Sequence, residues 1–177
     1  MIYKNIEIHN AAELIENTDG SVSFSRVPEC VQKAMEINKD VCECATGIEL
    51  RFVIKSDFAV IKLRTRKGGF GTVNVFRGDI LSTWDELQKV ITPNETEIVI
   101  KKHKNPKTLE KMSEQMKAAW SPDVVRVVFN HGYYEITDVT GDVEPPKESQ
   151  IPKKTLMAYG SSITHGSNSV ISYMSWL

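Results

Sequence analysis

Between residues 48 and 139 the chain carries six short segments of β-branched and aromatic residues, and these constrain the fold most. They are IELRFVI (48–54), FAVIKLRT (58–65), TVNVFR (72–77), EIVIKK (97–102), VVRVVFN (124–130) and YYEITDV (133–139). Several alternate with a period of two, as Ile61 and Leu63 do against Lys62 and Arg64, which gives a strand one buried and one wetted face. Polar turn signals separate them, at Lys55-Ser56-Asp57, Lys67-Gly68-Gly69 and Asn130-His131-Gly132. Short strands, polar turns and few intervening helices predict a mainly β chain built as an antiparallel β-sandwich. Parallel β/α winding is disfavoured for this part of the chain.

The helical signals are brief. Thr83-x-x-Glu86 ahead of LQKVI has the spacing of a capping box and predicts a helix start. Over 108–120, Leu109, Met112, Met116 and Ala119 recur at helical spacing, which predicts an amphipathic helix packed on the sandwich. The methionines in that helix read as core filler.

The composition then changes. GDVEPPKESQIPKK (141–154) holds three prolines and little that packs, and it reads as an extended linker. In 155–177 an apolar strand, LMAY, runs into Gly160-Ser161-Ser162. A helix carrying Val170, Ile171, Met174 and Leu177 is expected to follow. The domain reading is therefore a sandwich over 1–140, a Pro-rich linker over 141–154, and an opening strand–turn–helix of an α/β domain over 155–177.

Charge and composition exclude several classes of function. The 177 residues include 22 Lys and Arg against 23 Asp and Glu, a net charge of −1, and this lacks the basic excess that phosphate backbones demand. No apolar run approaches the roughly 20 residues that span a bilayer. The polar start MIYKNIEIHNAAELIEN has no signal-peptide core. Three cysteines are too few for a disulfide framework. A reduced, cytoplasmic setting is expected, without nucleic-acid or membrane partners.

A serine between a buried strand and a helix N-terminus is a physically sensible nucleophile. The turn exposes its hydroxyl, and helix-terminal N–H groups can stabilise an oxyanion. Gly160 permits the tight turn, and together with Ser161 it would line the approach of substrate. Taken alone, Gly-Ser-Ser is a weak signal, since a serine-rich helix start is usually only an N-cap.

The longer string Tyr159-Gly160-Ser161-Ser162-Ile163-Thr164-His165-Gly166 resembles the first block of the SGNH, or GDSL-type, lipase/esterase superfamily. The resemblance implies that Ser162 is the nucleophile and that its backbone N–H is an oxyanion donor. Ser161 stands where the family's commoner residue is Asp. Some SGNH esterases carry an N-terminal jelly-roll sandwich. The stretches Arg26-Val27-Pro28, Gly47-Ile48-Glu49-Leu50-Arg51-Phe52, Ser121-Pro122-Asp123-Val124-Val125-Arg126-Val127 and Gly141-Asp142-Val143-Glu144-Pro145-Pro146 are similar to that pattern. The resemblance implies hydrolysis or transfer of acyl groups, often acetyl groups on carbohydrates, with no metal or other cofactor. The implied partner is a small acyl ester or an acylated carbohydrate.

A nucleophilic serine needs a base and a carboxylate that orients it. The family supplies both in an Asp-x-x-His block, yet no Asp or Glu here has His three positions later. His9, His103 and His131 precede the linker, and His165 reads as part of the loop signature. The chain by itself is therefore expected to be inactive and to end early in its second domain. Its last strand and helix would then pack on the sandwich, pack on another copy as a homo-oligomer, or be disordered. The alternative is a non-catalytic carbohydrate-binding or interaction module in which Gly-Ser-Ser-Ile-Thr is vestigial.

Weaker signals have plain readings. Cys42-x-Cys44 would place two thiols on one strand face near Cys30, but no fourth metal ligand stands at a recognisable spacing, so buried free thiols are expected. KKHKNPK (101–107) reads as a solvated basic loop balanced by Glu110 and Glu114. Arg66-Lys67-Gly68-Gly69-Phe70-Gly71 precedes no helix and so lacks the context of a phosphate cradle. Trp84, Tyr133 and Tyr134 are candidates for stacking on sugar rings or for the core.

Overall fold

A computed structural model describes residues 1–82 and 88–154. Among the described residues thirteen strands run in order: β1 (Ile2–Tyr3), β2 (Ile6–His9), β3 (Glu13–Glu16), β4 (Val22–Ser25), β5 (Glu49–Ile54), β6 (Phe58–Thr65), β7 (Gly71–Arg77), β8 (Ile80–Leu81), β9 (Gln88–Ile91), β10 (Thr96–Lys101), β11 (Val124–Phe129), β12 (Tyr134–Thr140) and β13 (Val143–Glu144). They form two antiparallel sheets. The larger has the order β1-β2-β5-β11-β7-β8, with β13 also on β5 and β9 also on β7; the smaller is β10-β6-β12-β4-β3. From β4 to β7, and again from β10 to β13, each connection crosses from one sheet to the other. The expected β-sandwich is the observed architecture.

The period-two segments explain why the sheets close on each other. On β6, Ala59, Ile61, Leu63 and Thr65 point inward, and they face Leu50, Phe52, Val73, Val75, Val125 and Val127 of the larger sheet across one continuous core. Phe24, Phe129 and Tyr134 form a tilted aromatic row there, with centroids 5.2 and 4.9 Å apart. The Tyr134 hydroxyl donates to the Thr72 carbonyl (3.0 Å) and accepts the Thr72 N–H (2.9 Å). This ring passes so close to the backbone that a Cβ at Gly71 would lie 2.3 Å from its oxygen, so position 71 has no room for a side chain.

Three local expectations are corrected. LQKVI does not open a helix: Gln88–Ile91 is β9, paired antiparallel with Gly71–Asn74 of β7, with Val90 outward and Ile91 buried. Thr83 and Glu86, the two ends of the suspected capping box, lie outside the described residues. The helix expected over 108–120 is α2, Pro106–Met116, because Lys117 takes a left-handed φ of 53° and ends it. Only Leu109 of α2 is buried, while Met112 and Met116 are 41% and 57% exposed, so the methionines are surface rather than core. A further short helix, α1 (Glu29–Ala34), buries no residue.

The Pro-rich stretch packs more than its composition indicated. Val143 is 4% exposed and pairs with Ile54, and Glu144 pairs with Val53, which extends the larger sheet beside β5. Among the described residues, no helix is long and apolar enough to cross a membrane.

Candidate functional site

Gly160, Ser161 and Ser162, the residues that sequence assigns to catalysis, lie outside the described residues, as does His165. The approach to them is visible. Lys55 N–H donates to the Asp142 carbonyl (2.8 Å), and the Lys55 ammonium pairs with Glu144 at 2.7 Å. Beyond Pro145-Pro146, a single 3-10 turn spans Glu148–Gln150 and is closed by Lys147 N–H donating to the Gln150 side-chain carbonyl (2.9 Å). The Gln150 backbone carbonyl then accepts the Ser121 N–H at 3.0 Å. Nine residues lie between Gln150 and Gly160 in the sequence.

Next to the anchor, the outer face of the larger sheet carries a buried charge cluster. Antiparallel register sets Glu7, Arg51 and Arg126 side by side across β2, β5 and β11. Two guanidinium groups on directly opposed positions would repel each other. Glu49, two residues before Arg51 and so on the same face, lies between them. Its carboxylate accepts Arg51 Nε–H at 2.7 Å, Arg126 Nε–H at 3.2 Å and Arg126 Nη2–H at 2.6 Å. Burial works to raise the Glu49 carboxyl, but the Arg126 hydrogen bonds, with the charges of Arg126 and Arg51, outweigh it and hold the group below the usual carboxylate range. His9 is half-buried beside the cluster, and desolvation followed by the Arg51 charge pushes its pKa down.

The indole of Trp120 lies over both cations, 4.6 Å from Arg51 and 4.5 Å from Arg126. Its backbone is fixed too, because one Asp79 oxygen accepts the N–H groups of Ala119 (2.6 Å) and Trp120 (3.3 Å). A continuous path therefore runs from the Glu49 cluster through Trp120 and Ser121 to Gln150. With its lone pairs taken up by two guanidinium groups, Glu49 is unsuited to proton transfer, and the arrangement positions a segment instead. Sequence reasoning did not single out this cluster. The Glu49-x-Arg51 spacing on one strand face was a readable signal, whereas Arg126 and Trp120 join it only through tertiary pairing.

The other sequence candidates are dispersed. Cys42 and Cys44 sit on a 3-10 turn and its cap rather than on a strand. Cys42 Sγ–H donates to Met35 Sδ (3.3 Å), Cys44 Sγ lies 3.4 Å from Thr46 Oγ1, and Cys30 is exposed. Among the described residues, no group of three or more His, Cys, Asp and Glu could hold a metal ion. The Gly-rich stretch 66–71 links β6 to β7, and Lys67 reaches back over the Tyr133 ring at 4.0 Å. Tyr134 belongs to the core and cannot meet a ligand; burial pushes its phenol well above the ordinary range. Trp84 lies outside the described residues.

No protein-family model matches the sequence, and no curated protein matches it at a significant level. Among solved structures the chain is similar to a salicylyl-acyltransferase, SsfX3, from a tetracycline biosynthetic pathway. The TM-score is 0.58 at 9% identity, over 82% of this chain and 40% of that one. The chain thus spans well under half the length of that protein. At this identity the likeness shows a shared fold and nothing more.

Proposed function

We propose that this chain is the N-terminal portion of a two-domain serine ester hydrolase of the SGNH, or GDSL-type, class, acting on small acyl esters or acylated carbohydrates. The observation that carries the reading is the string Tyr159–Gly166, with Ser162 in the nucleophile position, following a β-sandwich. In the reaction, Ser162 Oγ attacks the ester carbonyl carbon and gives up its proton to a base. The tetrahedral oxyanion accepts the Ser162 N–H. Collapse expels the alcohol and leaves an acyl-serine, which water hydrolyses or an acceptor alcohol takes up.

The base and its carboxylate form an Asp-x-x-His pair in this class, and these 177 residues contain none. The proposal therefore requires the whole reading frame to supply one after Ser162. The test is hydrolysis of p-nitrophenyl acetate by the product of that reading frame. Activity that Ser162→Ala removes by a factor of at least about 10³ supports the reading. A reading frame without the pair, or a Ser162→Ala variant that keeps its activity, overturns it. Where the product of the reading frame is inert but binds glycans, the interaction-module reading takes its place.

A further inference from the structure

A separate feature at the edge of the smaller sheet points beyond ester chemistry. Asp57, Phe58, Lys101, Lys102, His103 and Lys104 line an open depression of about 430 Å³. That volume lies in the range of small-molecule sites. We propose that it binds an organic anion, a phosphate or sulfate monoester whose ring lies against Phe58 while its charge is held by Lys102 and Lys104.

Three observations support this assignment. The first is charge. Three lysines face one carboxylate in the lining, and Lys102, Lys104 and the adjacent Lys107 form no ion pair among the described residues. Lys4, Lys33, Lys55 and Lys62, by contrast, each hold a carboxylate within 3.3 Å. In a chain with as many acids as bases, this clustering leaves a local excess of positive charge, which attracts and retains anions.

The second observation is an apolar floor. Phe58 is 50% exposed at the first position of β6, directly across from Lys101, the last of β10. An aromatic ring beside ammonium groups suits a ligand that is apolar at one end and anionic at the other.

The third is a rigid frame. Lys102 N–H donates to the Asp57 carbonyl (2.7 Å), Arg77 donates to the Lys101 carbonyl, and Asn105 N–H donates to His103 Nδ1 (3.1 Å). The loop backbone is therefore fixed before a ligand arrives, and less ordering entropy is lost on binding.

The proposal is tested on the 177-residue chain by NMR titration with phenyl phosphate and with inorganic phosphate. Phenyl phosphate should bind the tighter of the two, shifting resonances of Phe58 and of residues 101–105. The double variant Lys102→Ala/Lys104→Ala should weaken binding at least about tenfold. Phe58→Ala should lower phenyl phosphate to the level of inorganic phosphate. All three positions are surface residues, so an unchanged amide spectrum elsewhere will show that each variant is folded.

Co-sedimentation with phosphatidylcholine vesicles, with and without phosphatidic acid, identifies the source of the phosphate. Pelleting with phosphatidic acid that the double lysine variant abolishes assigns the site to a lipid headgroup. Phenyl phosphate binding without pelleting assigns it to a free ester. Absence of binding to both probes, equal affinity for the two phosphates, or affinity unchanged in the lysine variant would overturn the proposal.

Discussion

Both sheets turn a charged outer face away from the core, and the two faces are built differently. On the smaller sheet, Arg64 bridges Asp19 (2.5 Å) and Glu135 (2.6 Å), and Lys62 bridges Glu95 and Glu97 at 3.2 and 3.3 Å; of these only Glu135 is buried, and the rest are within reach of water. On the larger sheet, Glu49, Arg51 and Arg126 are almost fully removed from water and lie beneath Trp120. The same residue types therefore serve two ends. An exposed pair exchanges one set of polar partners for another at little net gain, whereas a buried triad must be complete or it is a liability. Completeness also fixes geometry, and on the larger sheet what is fixed is the path through Trp120 and Ser121 to Gln150.

Removing Glu49 breaks this contrast most severely. Glu49→Ala leaves two opposed, buried guanidinium groups with only the more distant Glu7 (3.5 Å from Arg51) and Asp79 (3.9 Å from Arg126) as counter-charges and should cost about 2–4 kcal/mol in chemical denaturation. A loss below about 1 kcal/mol would mean that the larger sheet behaves like the smaller one. Trp120→Ala comes next, at about 1–3 kcal/mol, since it uncovers the cations and removes a stacked ring. In hydrogen exchange the same variant should also raise the exchange rate of the Ser121 amide, which bonds to Gln150.

The acid limb of stability sharpens the comparison further. The Glu49 carboxyl is held below its ordinary value in the folded chain, so its contribution is present above an unfolded-state pKa near 4.5 and is lost as pH falls through the lower, folded value. Glu49→Gln should flatten the fall in stability below pH 4.5, as followed by denaturation midpoints. The smallest effect belongs to Arg64→Ala, at most about 1 kcal/mol, shrinking further when salt is raised to about 1 M.

How much of this was legible in the sequence differed along the chain. The six segments of β-branched and aromatic residues gave β5, β6, β7, β10, β11 and β12 within one or two residues, because each carries a mainly apolar inner face that one register buries. The N-terminal strands carried no such signal. β1 and β2 join through Lys4-Asn5, two non-glycine residues at φ of 44° and 62°, a turn that residue type did not announce. β4 contributes Ser23 and Ser25, buried polar residues satisfied by the Ile15 and Val27 carbonyls, which look like loop when read singly. At 88–91, pairing with β7 overrode a local helix-start pattern. The serine block was visible as a motif because its chemistry is written in adjacent residues. The Glu49–Arg126–Trp120 cluster was not, because it draws on residues far apart in the chain that meet only when the sandwich closes.

The central claim, that Ser162 is an acyl-accepting nucleophile, is tested most directly by covalent trapping. The product of the whole reading frame is treated with a fluorophosphonate ester, and the adduct is located by peptide mass spectrometry. The account predicts one phosphonyl group on Ser162 and none in Ser162→Ala. An adduct on another residue, or hydrolysis of p-nitrophenyl acetate by a protein whose Ser162 stays unlabelled, would contradict it.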